Sequence, residues 1–376
     1  MNLKYEEPEA MFFLLFLCVL FLSFEPISHA VIPGDPYTYS TEDPYTYSTD
    51  GDFACSRRQA EGCSVQAMNL YRCAMGDPDH TTAVESFRQA LAVSTEGLTA
   101  EAAGSHEFLV DGYSARLVVV QAASHYELAL RDADHTTAGE SFRRALAVST
   151  VALRKHAAGS HEFLVDDYWA HLVAIQAASH YELAMREDDH ATALENFRRA
   201  LAVSTVALSN HAAGTHPLIP ATWADLVAIQ AASHYQLAMR EDDHTIAVEN
   251  FRRAVAVSTE VLTVEAAGTH PLIPATWARL VAIYVGSHYQ LAMRDANHTT
   301  AVENFRQALA VSTIALSNHA AGTHLLTPAT WARLVAIQAG SHYELAARDA
   351  NHATAVENFR QAVAVSTVAL SNPAAG

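Results

Sequence analysis

The sequence predicts an all-α solenoid of about six helix pairs. Three observations carry that expectation. The block "DDHTIAVENFRRAVAVST" at 242–259 recurs in six copies, marked by Phe87, Phe142, Phe197, Phe251, Phe305 and Phe359. The triplet "SHY" starts at Ser124, Ser179, Ser233, Ser287 and Ser341, spaced 55, 54, 54 and 54 residues apart. Alanine is abundant and no hairpin turn stands between alternating apolar runs, which favours helix over strand. The chain has 376 residues, 50% of them hydrophobic. That is enough for a large core, and a solenoid extends its core unit by unit without a single centre.

The N-terminal 30 residues read as a signal peptide or signal anchor. "MFFLLFLCVLFLSF" at 11–24 is apolar and uncharged, short for a membrane span and suited to a secretory signal. Ser28 and Ala30 are small at the two cleavage-site positions, so cleavage falls after Ala30. The preceding stretch is atypical, because Glu6, Glu7 and Glu9 accompany Lys4 where positive charge is expected; a start at Met11 removes the difficulty. The expected destination is the secretory pathway or the extracellular space, with a membrane anchor through 11–24 as the alternative. Residues 31–56 contain "DPYTYSTEDPYTYSTD", an eight-residue unit written twice, rich in Ser, Thr, Tyr, Pro and Asp. Lacking apolar periodicity, it reads as a disordered linker and a candidate for O-glycosylation. The repeat array follows over 57–376. Cys55, Cys63 and Cys73 remain once Cys18 leaves with the signal. On one continuous helix Cys63 and Cys73 lie about 15 Å apart and cannot bridge, so Cys55 with either partner is the expected pair.

Each unit reads as two helices. The first runs over about 221–240, "ATWADLVAIQAASHYQLAMR", with Trp223, Leu226, Val227 and Ile229 at helical spacing and Tyr235, Leu237 and Met239 extending it. Pro220 stands at its start, where a fixed φ and a missing N–H cost nothing. The second runs over about 244–264 behind an Asp or Asn cap: Asp79, Asp134, Asp189, Asp243, Asn297 and Asn351. Glu249 and Arg253, four apart, form a weak surface pair. Gly104, Gly159, Gly214, Gly268 and Gly322 are placed to end second helices with positive φ.

The net charge is −18, which excludes a nucleic-acid partner that would need a basic face. Sixteen of the 21 His residues occupy three places in the unit: the "HTTA" start, "SHY" and the "G[ST]H" loop. Protonating all of them would move the charge from −18 to −18 + 21 = +3. Copying of one ancestral unit accounts for the pattern; a pH sensor and a metal site are the alternatives.

Within the unit, Ala247, Phe251 and Ala254 follow at steps of four and three, and Trp223 and Leu226 stand three apart. This W-x-x-L … A-x-x-x-F-x-x-A ladder resembles the tetratricopeptide repeat (TPR) family, over 57–376, or 320 of 376 residues. The resemblance implies a right-handed α-solenoid of antiparallel helix pairs, a TPR-like superhelix. Its packing residues would be Trp169, Trp223, Trp277 and Trp331 together with the six Phe. The unit departs from the family's 34 residues or so: Trp223 to Ala247 spans 24 residues, which suggests about two extra turns, and Val227 replaces a small residue. The long period and the "H-P-x-x-P-x-x-W-x-x-L" approach to the first helix look like long-period arrays found in fungi. The family binds protein or peptide ligands in a groove lined by first helices. Its groove position, two after the Trp, maps to Arg116, His171, Asp225, Arg279 and Arg333, where near-identical copies differ in charge.

Catalytic signatures are missing from the sequence. "GTHPLIP" lacks the ending of a P-loop, and neither G-x-S-x-G nor H-E-x-x-H occurs. His234 and His244 straddle a turn and are not spaced as a helical metal pair. The expectation is a non-catalytic scaffold with no cofactor and no metal. "NHT" at 297–299 is the one N-glycosylation sequon; on the sequence alone, capping and glycosylation compete for Asn297. The last unit runs into "SNPAAG" with no polar helix to cover its apolar flank. Solenoid ends need such cover, so the expectations there are self-association through the C-terminal repeat or membership of a larger, immune-receptor-like protein.

Overall fold

A computed structural model of the chain describes residues 51–104, 112–158, 166–266 and 272–371. Twelve α-helices and no strand stand among the described residues. They are α1 (Gly51–Gly76), α2 (His80–Gly104), α3 (Gly112–Arg131), α4 (His135–Ala157), α5 (Asp166–Arg186) and α6 (His190–Ala212). Then come α7 (Pro220–Arg240), α8 (His244–Ala266), α9 (Pro274–Arg294), α10 (His298–Ala320), α11 (Pro328–Arg348) and α12 (His352–Ser371). The signal segment, the Tyr/Ser/Thr stretch, Gly159 and Gly268 lie outside the described residues. No described helix is long and apolar enough to cross a membrane.

The caps form as the Asp/Asn pattern requires. Asp79 accepts from the Thr82 N–H at 2.8 Å, Asp189 from Thr192 at 2.8 Å and Asp243 from Thr245 at 2.8 Å. Asn297 and Asn351 do the same at 3.0 Å, toward Thr299 and Ala353. Each cap satisfies an amide that the helix itself leaves unpaired. At the other ends of α6 and α10, Gly214 and Gly322 take φ of 72° and 73°. That left-handed turn lets Thr215 and Thr323 donate back to Asn210 and Asn318 at 3.0 Å. Gly104 instead remains inside α2 as its last residue.

One expected boundary moves. Helix begins at Gly51, six residues ahead of the expected start of the array, so 51–56 belong to α1 and not to the linker. This changes the cysteine reading: Cys55, Cys63 and Cys73 all lie on α1. At ~1.5 Å per residue, Cys55 stands about 12 Å from Cys63 and about 27 Å from Cys73, too far for a bridge with either. Cys63 and Cys73 are free.

The described chain divides into two compact units, one within 27–229 and one within 230–376, with the division inside α7. In the first, α3 packs on α2 and α4, and also on α1 and α5. In the second, α9 packs on α8 and α10, and also on α11. Within each unit the same neighbours recur: α3 and α9 each meet the helices before and after them in sequence, and each also meets a first helix of an adjoining pair. One core motif repeats with them. Phe87, Phe142, Phe197, Phe251 and Phe305 are 0% exposed, flanked by buried Ala such as Ala247 and Ala254. Each meets a Tyr sixteen residues earlier edge to face, from Tyr71–Phe87 at 5.4 Å to Tyr289–Phe305 at 5.5 Å. Phe359 keeps its partner Tyr343 at 5.6 Å but is 40% exposed. Trp169 and Trp277 are buried, whereas Trp223 and Trp331 are half-buried.

Candidate functional site

The five positions expected to face a groove are not on an open face. Arg116, His171, Asp225 and Arg333 are buried, and Arg279 is half-buried. The cause is the packing just described. A first helix such as α3 has four helical neighbours, so no broad face is left for solvent. Two of the five, Arg116 and Arg333, sit where first helices meet. The Arg116 Nε donates to the Tyr168 hydroxyl on α5 at 3.1 Å. The Arg333 guanidinium lies over the Tyr235 ring at 4.9 Å, in space opened by Gly286, where an added Cβ would come 2.8 Å from Arg333 Nη2. His171 bonds through Nδ1 to the Asp167 carbonyl at 2.6 Å, and burial lowers its pKa. Charge at Arg116 and Arg333 thus lies inside helix–helix contacts, and His171 and Asp225 are buried as well.

The histidines fall into distinct contacts as well. In "SHY", His180, His234, His288 and His342 pair through Nδ1 with Asn196, Asn250, Asn304 and Asn358, at 2.8 to 3.2 Å. Burial, first of all, holds the pKa of His180, His234 and His288 below the usual imidazole value; the Asn contact opposes it. In the loops, His216 stacks on Trp169 at 4.4 Å and His324 on Trp277 at 4.3 Å. His324 also approaches Glu265 at 4.0 Å. At a helix start, His80 Nε2 meets the Arg131 carbonyl at 3.1 Å. Among the described residues, no group of three or more His, Cys, Asp or Glu is placed to hold a metal.

A recurrent cation was not singled out in the sequence reading. Every first helix after α1 ends in Arg, and Arg131, Arg186, Arg294 and Arg348 lie 4.7 to 4.9 Å over Phe87, Phe142, Phe251 and Phe305 of the preceding pair. The same guanidinium pairs with a residue four earlier: Glu127, Glu182, Gln290 or Glu344. Its signal is a constant Arg seven residues after the Ser of each "SHY", but a charge at a helix end reads first as a solvated terminus.

The exposed surface that varies between copies lies on second helices. Glu96, Val151, Val206, Glu260, Ile314 and Val368 occupy one position of the unit, and all are exposed. Val206 and Ile314 are each 59% exposed. An exposed alanine precedes each by four residues, such as Ala202 and Ala310, on the same helix stripe. Next to it run Gln89, Arg144, Arg199, Arg253, Gln307 and Gln361, also exposed and also varying in charge.

The fold and this surface define an all-helical protein of repeated helix pairs. No family model matches the chain. No curated protein matches it either. Among solved structures, one that it is similar to comes from the computational design of self-assembling cyclic protein homooligomers, at 13% identity and a TM-score of 0.20, over 85% of this chain and 96% of that one. A likeness that faint carries no argument about assembly.

Proposed function

We propose that the protein is a non-catalytic scaffold that binds protein or peptide ligands by contact, built as a right-handed α-solenoid of antiparallel, TPR-like helix pairs. The W-x-x-L … A-x-x-x-F-x-x-A ladder supports the family reading, and the apolar segment 11–24 supports passage into the secretory pathway. The observation that carries the binding reading is the exposed second-helix position at which copies alternate between Glu and β-branched residues. Interior positions are spent on packing, and ligand choice needs residues that are both accessible and unlike one another. The binding surface is therefore assigned to second helices and not to the five buried first-helix positions.

Selection of a random peptide library against the full chain tests this. The expected result is a shared sequence that binds reversibly and loses affinity when Val206→Glu and Ile314→Glu are combined. A library that yields no shared sequence would remove the reading.

A second reading, self-association, is favoured by one specific observation. Phe359, Val363 and Val368 on α12 are exposed, and so is Tyr343 on α11. A second copy that meets α12 with its own α12 would close a two-fold pair. Light scattering over a dilution series should report a dimer that Phe359→Glu dissolves; a monomer throughout would dismiss it.

A further inference from the structure

We infer that Asn297 is an N-glycosylation site whose glycan and helix cap coexist on one amide; the inference rests on the proposed passage through the secretory pathway. The unit makes this acceptor from two independently varying positions. The cap is Asp in four copies and Asn in two, Asn297 and Asn351. Two residues on, the copies carry Thr81, Thr136, Ala191, Thr245, Thr299 and Ala353. Only the copy at 297 combines Asn with Thr, which completes the N-x-[ST] acceptor pattern.

The geometry removes the competition that the sequence implied. As a cap, Asn297 accepts from the backbone N–H of Thr299 at 3.0 Å and of Thr300 at 3.3 Å, both through Oδ1. A backbone N–H can donate only to the oxygen of the amide, so Nδ2 is the atom left outside the cap. Asn297 itself is exposed, and so are Ala296, His298, Thr299 and Thr300. Its own backbone N–H is held by the Asp295 carboxylate at 2.8 Å, which fixes the short turn between α9 and α10.

The transfer uses only that free atom. Nδ2 bonds to the anomeric carbon of an oligosaccharide carried on a lipid pyrophosphate. The bond from that carbon to the pyrophosphate oxygen breaks, the pyrophosphate leaves with the electron pair, and Nδ2 gives up one proton. The primary amide becomes a secondary one with Oδ1 intact, so the two cap bonds can form as the chain folds.

The test expresses the full chain, with its own N-terminus, in a eukaryotic secretory cell and reads intact mass before and after an amide-cleaving endoglycosidase. The expected result is one glycan per chain. Thr299→Ala removes it while leaving the Thr299 N–H to the cap. Asn297→Asp removes it while keeping the cap oxygen, as Asp243 does, so loss of the glycan cannot be blamed on misfolding. A reporter separates the two ways to fail. Tyr39→Asn creates the sequon Asn-Ser-Thr near the N-terminus. If that variant gains a glycan while the wild type has none, the chain reaches the lumen and Asn297 refuses the transfer, which overturns the inference. If neither carries a glycan, the secretory reading has failed and takes the inference with it.

Discussion

The pair α9–α10 and the pair α11–α12 have nearly the same sequence but different surroundings. Phe305 is fully buried beneath the Arg348 guanidinium, whereas Phe359 is 40% exposed with no described helix after it. Tyr289 is 5% exposed and its counterpart Tyr343 is 37% exposed. What the difference teaches is where a unit obtains its stability. The Tyr–Phe contact is made within each pair, so both pairs retain it. The cover over the ring comes from the following pair, so only the interior one has it. A repeat of this kind cannot bury its own apolar flank.

The comparison gives the largest expected effect. Phe305→Ala should cost about 3–5 kcal/mol, because it opens a cavity between closely packed helices. Phe359→Ala should cost roughly 1–2 kcal/mol, since much of that ring's area is never removed from solvent. Urea denaturation of the two variants decides; equal losses would mean that burial by the next pair contributes little.

A smaller effect tests the first-helix contact. Gly286→Ala should destabilise by roughly 1–3 kcal/mol, because the new Cβ meets Arg333 Nη2 at 2.8 Å and Tyr235 at 3.2 Å. Combining it with Arg333→Ala should recover part of the loss, and simple additivity in the double-mutant cycle would deny the contact. Smaller again, Asp243→Ala should cost about 1 kcal/mol by unpairing the first turn of α8, and Asp243→Asn almost nothing, since Asn297 and Asn351 cap equally well. An Asn substitution as costly as Ala would point to charge and not to the hydrogen bond.

The fourth prediction is a slope and not a step. Burial depresses the folded-state pKa of His180, His234 and His288, so the unfolded chain binds protons first as pH falls. Their contribution is whole above the ordinary imidazole value near 6.5 and is lost as pH drops from there through the folded values. Replacing all three by Gln should flatten the decline in melting temperature between neutral and mildly acidic pH. An unchanged slope would assign the acid response to other groups.

Helix, cap and period were legible because they are local. Asp243 before "HTIAVENF" is a cap whatever packs nearby, and Ala247, Phe251 and Ala254 share one face of any helix drawn through them. The candidate surface was legible only in part. The resemblance points to variation at Arg116, His171, Asp225, Arg279 and Arg333, which holds only if first helices keep an open face. Exposure depends on how many helices surround a residue, and α3 has four neighbours. The alternation of Glu260 with Val206 and Ile314 was equally visible in the sequence, yet nothing local marks that position as the exposed one.

By itself the sequence determined the unit. Its length, two helices, capping residues and Phe stripe follow from 3.6-residue periodicity and from side chains that bond their own backbone. Only the tertiary structure decided which charged residues went inside, which ring of six went uncovered, and that Asn297 keeps Nδ2 outside its cap. Those outcomes depend on contacts between residues far apart in the chain, such as Arg348 with Phe305 and Arg333 with Tyr235, or on which of two amide atoms a neighbouring N–H selects. A repeat writes the same letters for an interior unit and a terminal one, and the neighbours make them different.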